Sequence, residues 1–239
     1  MKKAFVNFGV LLSLVVLVFA FSAPVNATET LTKEEKQGIE RMQSMLSKMD
    51  KMIDAKLTSE YKKRVHEVLK SGKAKLDIDS KKLAFDKMQL IKTELDDGNY
   101  THVVTLPVKL KDSHELSNVS FYFDTKGKFI TSSEFYLTKN DSGNFQLTFL
   151  QDGKQQAKQD TDLKFETMAE YKDKIKLAGF DTDHLSKCLG ISAALAATIA
   201  SVCGVVCAIT LGLGCVACAA GVMGFNFGGT AECLRQAWR

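Results

Sequence analysis

The sequence predicts an α+β N-terminal domain, helices followed by an antiparallel meander, joined to a small, disulfide-rich all-α C-terminal hairpin. Three observations carry that expectation. Apolar residues recur at three- and four-residue intervals up to about Leu95, then at intervals of two from Tyr100. Short Asn/Asp/Gly turns separate the runs of the second region. All six cysteines and eight of the sixteen glycines fall in the last 52 residues.

The first residues set the compartment. Lys2 and Lys3 precede an apolar run from Phe8 to Phe21, followed by Pro24 and Val25-Asn26-Ala27. A positive start, an apolar stretch and a small-residue exit describe a signal peptide over residues 1–27, cut by signal peptidase after Ala27. An uncleaved anchor helix is the competing reading, because the apolar run is long. No cysteine lies near the exit, which argues against a lipoprotein. Export to the extracellular side gives the cysteines an oxidising environment.

Residues 28–180 read as the α+β domain. Thr32-Lys33-Glu34-Glu35 is a capping box. Ile39, Met42, Leu46, Met49 and Ile53 then form an amphipathic seam, a first helix. A second helix is expected from Ser59 to Ser71-Gly72, burying Tyr61, Val65, Val68 and Leu69. A third is expected from Ser80 to about Leu95, ended by Asp97-Gly98-Asn99. The meander of four or five strands follows. Its strands are marked by Tyr100 to Leu110, by Val119, Phe121 and Phe123, by Phe129, Phe135 and Leu137, and by Phe145, Leu147 and Phe149. Turns fall at Thr125-Lys126-Gly127, Asn140-Asp141-Ser142-Gly143 and Asp152-Gly153. Pro107 is expected on an edge strand. A last helix spans about Phe165 to Leu177, ending at Gly179.

This domain offers no catalytic motif, so no enzymatic activity, cofactor or metal is expected. His66, His102, His114 and His184 lack metal-ligand spacing. His102 lies on the apolar strand face, where a hydrogen-bonded core histidine is the natural reading. The formal net charge of +4 reads as spread through mixed-sign helices, which excludes nucleic acid as a partner.

Residues 181–187 (Asp181-Thr182-Asp183-His184-Leu185-Ser186-Lys187) form a polar linker of the kind where proteolysis concentrates, so a processing protease is an expected partner. Beyond it, Cys188 to Ala231 is a run of 44 residues without Asp, Glu, Lys or Arg. As two helical arms broken at Gly212-Leu213-Gly214, residues 188–239 place Cys203 and Cys207 on one helix face, and Cys215 and Cys218 on another. Folding the arms back aligns Cys207 with Cys215, Cys203 with Cys218 and Cys188 with Cys233, one of about fifteen connectivities open to six cysteines. A zinc site is the alternative for these thiols, disfavoured by the lack of nearby charge or histidine. The terminal charges Glu232, Arg235 and Arg239 cluster with Trp238. Arg235, Trp238 and Arg239 are therefore the residues expected at a membrane interface.

A signal peptide, a long polar region and a terminal block reading "CLGISAALAATIASVCGVVCAITLGLGCVACAAG" and "GGTAEC" resemble the precursors of halocin-type (microhalocin-like) cysteine-rich bacteriocins. The likeness covers about a fifth of the chain and lies in composition and layout. Two departures are the missing twin-arginine signal and the smaller number of cysteines. The resemblance implies a secreted antimicrobial precursor whose terminal peptide is released to act on the lipid bilayer of target cells. It also implies an upstream domain serving as pro-region or immunity protein, with contact between that domain and the peptide. An exported α+β binding domain, anchored to the membrane by the apolar C-terminal hairpin, is the competing expectation.

Overall fold

The computed structural model describes residues 48–52, 54–94, 100–167, 169–170, 195 and 198–199. Seven strands form a single antiparallel sheet in strict chain order. They are Met49–Met52 (β1), Gln89–Glu94 (β2), Tyr100–Pro107 (β3), Asn118–Phe123 (β4), Phe129–Lys139 (β5), Asn144–Gln151 (β6) and Lys154–Lys164 (β7). Helix Ala55–Lys70 (α1) and two 3-10 turns, Ser80–Lys82 and Phe85–Lys87, fill the chain between β1 and β2.

Local chemistry sets the limits of α1. The Asp54 side chain accepts a 2.8 Å hydrogen bond from the Leu57 amide, satisfying one of the free N–H groups of the first turn. At the other end, Gly72 adopts a φ of +66°, and the Lys73 amide donates back to the Val68 carbonyl. The apolar stripe Tyr61, Val65 and Val68 faces the sheet, packing on Leu90, Val104, Leu106, Val119, Phe121 and Phe123. Each such fully buried side chain contributes roughly 1.5–3 kcal/mol.

A polar clamp ties the flank of the helix to the β4–β5 turn. The Arg64 guanidinium donates to the Gly127 carbonyl at 2.9 Å and to Glu60 Oε1 at 2.6 Å. Gly127 has a φ of +74°, and a Cβ there would lie 2.5 Å from Arg64 Cζ. The turn needs glycine for its left-handed backbone and for the approach of the guanidinium.

Several expectations are corrected. The α+β assignment as a series of helices ahead of a shorter meander does not hold: the described chain is a seven-stranded meander with one α-helix. Met49–Met52, expected in the first helix, is a strand; the rest of that helix lies outside the described residues. A three-residue interval puts side chains on one helix face but on opposite strand faces. Met49 pairs with Thr93 and Met52 with Leu90, on opposite faces of the sheet. The third expected helix is replaced by the two 3-10 turns and β2. There Leu90 and Ile91 are consecutive and both buried, one on each face. Pro107 ends the interior strand β3, past the last β2 pair at Gln89–Thr105, rather than lying on an edge. Residues 165–167 have no regular secondary structure; Ala169 and Glu170 are helical, the Glu170 amide donating to the Thr167 hydroxyl at 3.2 Å, and the rest of the helix expected after Phe165 lies outside the described residues. The disulfide-rich all-α C-terminal hairpin is not shown either; of that block only Leu195, Thr198 and Ile199 are described.

Gly127→Ala should lower stability by about 1–2 kcal/mol, from the strained φ and the displaced guanidinium. Urea titration of the single variants and of the double variant with Arg64→Ala checks this. The penalty at position 127 should shrink once Arg64 is gone, leaving only the backbone part.

Candidate functional site

The sheet has two faces, and α1 covers only one. Register assigns the other: Ile91, Val103, Tyr122 and Thr131 lie abreast across β2 to β5, and Phe135 with Phe149 and Leu137 with Leu147 continue it across β5 and β6. These side chains are buried as deeply as those under the helix. Ile91, Val103, Leu137, Leu147 and Phe149 are each 0% exposed.

Most polar groups of this second face are satisfied within the sheet; Gln89, which pairs with Thr105, keeps a buried Oε1 without a partner. Thr105 and Ser120 share a 2.9 Å hydrogen bond, and the Ser120 hydroxyl also donates to Asn118 Oδ1 at 3.3 Å. The Tyr122 and Ser133 hydroxyls lie 3.1 Å apart, and the Thr101 hydroxyl donates to the Phe123 carbonyl at 2.7 Å. No donor on this ladder needs a partner from above, so what the face offers to an approaching segment is apolar contact.

The chain on either side of the sheet turns toward this face. The β3–β4 loop brings His114 against Phe145, ring centroids 5.8 Å apart. After β7, the Phe165 amide donates to the Gly143 carbonyl, and its ring sits 4.9 Å from Phe145. Phe145 belongs to the same face as Leu147 and Phe149. The path from the last strand toward the C-terminal block therefore starts over this face. Within the block, Leu195 and Ile199 are helical, four residues apart, and 2% and 1% exposed.

The sheet carries two buried titratable groups, His114 at the edge of the second face and Glu134 on the opposite, helix side. His114 is 1% exposed, its Nδ1 accepting from the Leu116 amide at 3.1 Å. Burial pulls its pKa down to about 4, against a smaller opposing pull from Glu115. Glu134, on the helix side of β5, is fully buried; its carboxylate accepts from the Asp77 and Ile78 amides and from the Tyr136 hydroxyl. Burial raises its pKa while those donors pull the other way. Glu134 thereby pins the segment after α1 across β5.

Sequence reasoning missed both groups, as well as the second apolar face. Glu134 stands in "SSEFYL", where its alternation with Ser132 and Tyr136 was the available signal. His102 is half-buried on the helix side, its ring 4.9 Å from Tyr61 and hydrogen-bonded to the Asp124 backbone, while its Nδ1 is buried without a partner. Ala27, Cys188, Cys203, Cys207, Cys215, Cys218, Cys233, Arg235, Trp238 and Arg239 all lie outside the described residues. Among the described residues no cluster of three metal-ligating side chains occurs, and no helix is long and apolar enough to cross a membrane. No family model, no curated protein and no solved structure matches this chain.

The His114 shift has a defined sign. The fold accommodates the neutral ring, so its contribution is complete above about pH 6.5 and is lost as pH falls toward about 4. The loss should be about 3 kcal/mol over that window. Glu134 acts in the opposite sense, losing its contribution as pH rises through its elevated pKa, so the measurement is made with Glu134→Gln as background. Chemical denaturation at stepped pH should show the acid loss there, and His114→Asn, which keeps an acceptor for the Leu116 amide, should flatten it.

Proposed function

We propose that this chain is a secreted bacteriocin precursor. Its C-terminal cysteine-rich peptide is released and acts on the membranes of competing microbes. The sheet domain is the pro-region, or immunity partner, that holds the peptide beforehand.

One observation carries the reading: the sheet is buried on a face that its own helix does not cover, while Leu195 and Ile199 of the charge-free block are themselves buried. An isolated run of 44 uncharged residues needs a surface to lie against while it travels through water. The second face of the sheet has the required character, apolar and, Gln89 Oε1 apart, internally satisfied in its hydrogen bonds. Contact with it would keep the block soluble and away from lipid until the linker at 181–187 is cut. Once freed, a span without charge enters a bilayer without the cost of burying ions, roughly 2.5–3.5 kcal/mol each on insertion scales. Trp238 with Arg235 and Arg239 would then hold the headgroup boundary.

The same charge-free run supports a second reading, an exported binding domain that the uncut block anchors in the membrane. Mass spectrometry of culture supernatant separates the two. The first expects a free peptide of about fifty residues starting between Asp181 and Cys188, lighter by six hydrogens than its reduced form. Only uncut chain, retained with cells, would support the anchor.

Purified peptide should release dye from anionic vesicles, and Arg235→Glu with Arg239→Glu should weaken that release several-fold. Adding the sheet domain should suppress it, and Phe149→Asp on the second face should restore it. Oxidised peptide that neither leaks vesicles nor inhibits any strain would leave the anchored reading in its place.

A further inference from the structure

The chain's net positive charge is concentrated in one layer. Residues 55–88 carry ten Lys and Arg against five Asp and Glu, a net of +5, whereas the other 205 residues sum to −1. These 34 residues are α1 and the segment that crosses the same face of the sheet before β2. The charge that reads as scattered along the sequence is gathered by the fold on one side of the molecule.

Its arrangement is specific. Tyr61, Val65 and Val68 fix the inward stripe of α1, so Lys56, Lys63 and Lys70, at seven-residue spacing, run along the opposite, outward stripe, and all three are exposed. Lys73, Lys75, Lys81, Lys82 and Lys87 extend the exposed set beyond the helix. The β4–β5 turn, held against α1 by the Arg64–Gly127 hydrogen bond, adds Lys126 and Lys128 beside it. The acids within the layer are partly engaged: Glu60 is paired with Arg64, and Asp79 accepts from the Lys81 amide.

We propose that this layer docks on an anionic lipid surface, its lysines reading the phosphate headgroups. The side chains favour such a surface over other anions. Exposed lysines are point charges suited to many phosphates spread over a plane, whereas compact recognition of a single phosphate or a base edge favours forked guanidinium groups. The layer's one arginine, Arg64, is already occupied by Glu60 and Gly127. Its aromatic rings are also engaged internally, His66 stacked on Phe85 at 4.2 Å and Tyr61 buried, leaving no platform for base stacking. Sixteen helical residues span roughly 24 Å, a footprint several headgroups wide.

The test uses the intact chain and reads the difference between lipid compositions. That difference is independent of whether a peptide is ever released, it cancels apolar binding by the C-terminal block, and Arg235→Gln with Arg239→Gln in every sample removes that block's own preference for anionic lipid. Partition into phosphatidylglycerol-containing vesicles should exceed that into pure phosphatidylcholine by about ten-fold or more at low salt, and the excess should collapse near 0.5 M salt. Lys63→Glu, Lys70→Glu and Lys73→Glu together should bring the ratio close to one. The corresponding triple Gln variant should fall between, and serves as the measure if the Glu variant loses its far-UV circular dichroism. Equal partition into the two lipids, a Gln or folded Glu variant indistinguishable from the parent, or competition by millimolar free glycerol phosphate would overturn the proposal. So would tighter binding to a short DNA duplex than to the anionic vesicles.

Discussion

Burial of the sheet on both faces is the constraint on which the rest of this molecule depends. A meander with one wet face is an ordinary way to build a small domain, and alternation of apolar and polar residues then suffices. Here Val103 and Val104 are both fully buried although they point to opposite faces, and β4 has no exposed residue at all. A sheet of this kind needs cover on each side. The helix with its following loop supplies one cover, held by the Glu134 and Arg64 contacts. On the second face, His114 and Phe165 pack beside Phe145. The sheet is therefore buried on two faces, of which α1 covers one.

The buried polar groups fit the same constraint. Hydroxyls at Thr105, Ser120, Tyr122 and Ser133 lie in a face that carries mainly aliphatic and aromatic groups, and each bonds within the sheet. Satisfied internally, they cost little and still penalise any slip of register, since a one-residue shift would turn every one of them away from its partner. Glu134 does comparable work on the other face. Two backbone amides and a tyrosine hydroxyl converge on a carboxylate that would otherwise be prohibitively desolvated. The energy of that group is committed to placing the 73–78 segment, which is also the segment that carries part of the lysine layer.

The strands after Tyr100 were legible because their turns are chemically explicit. Gly127, Gly143 and Gly153 all have positive φ, at the three turn positions that composition marks. Helix α1 was legible through Tyr61, Val65 and Val68, though its start was placed at Ser59 rather than Ala55, because the Asp54 cap went unread. β1 and β2 were not legible, for a physical reason. In a strand buried on both faces the apolar residues need not alternate, and spacings such as Met49–Met52 or the pair Leu90-Ile91 imitate a helix. The second face escaped notice for the same reason: a side chain's burial on the reverse of a sheet is a tertiary fact, and Phe135, Leu137 and Phe149 look locally like any amphipathic strand. The lysine layer was hidden by interleaving: five acids lie among the ten cations along residues 55–88, and the helical turn of α1 is what places Lys56, Lys63 and Lys70 on one outward stripe.

The two surfaces that set this protein apart occupy opposite sides of one sheet. The lysines project outward from α1, while the face rich in Tyr122, Phe135 and Phe149 looks the other way, and a helix packed on a sheet adds about 10 Å to the separation. A charged layer and an apolar block presented side by side would both draw the intact chain into lipid at once, as a basic amphipathic segment does. Set back to back, the lysine layer and the second face of the sheet are decoupled: electrostatic attraction can bring the molecule to an anionic surface while the second face stays turned away from it. Under the release proposed above, the sheet would act as a spacer as well as a cover, and cutting the linker would change which face of the molecule a membrane meets.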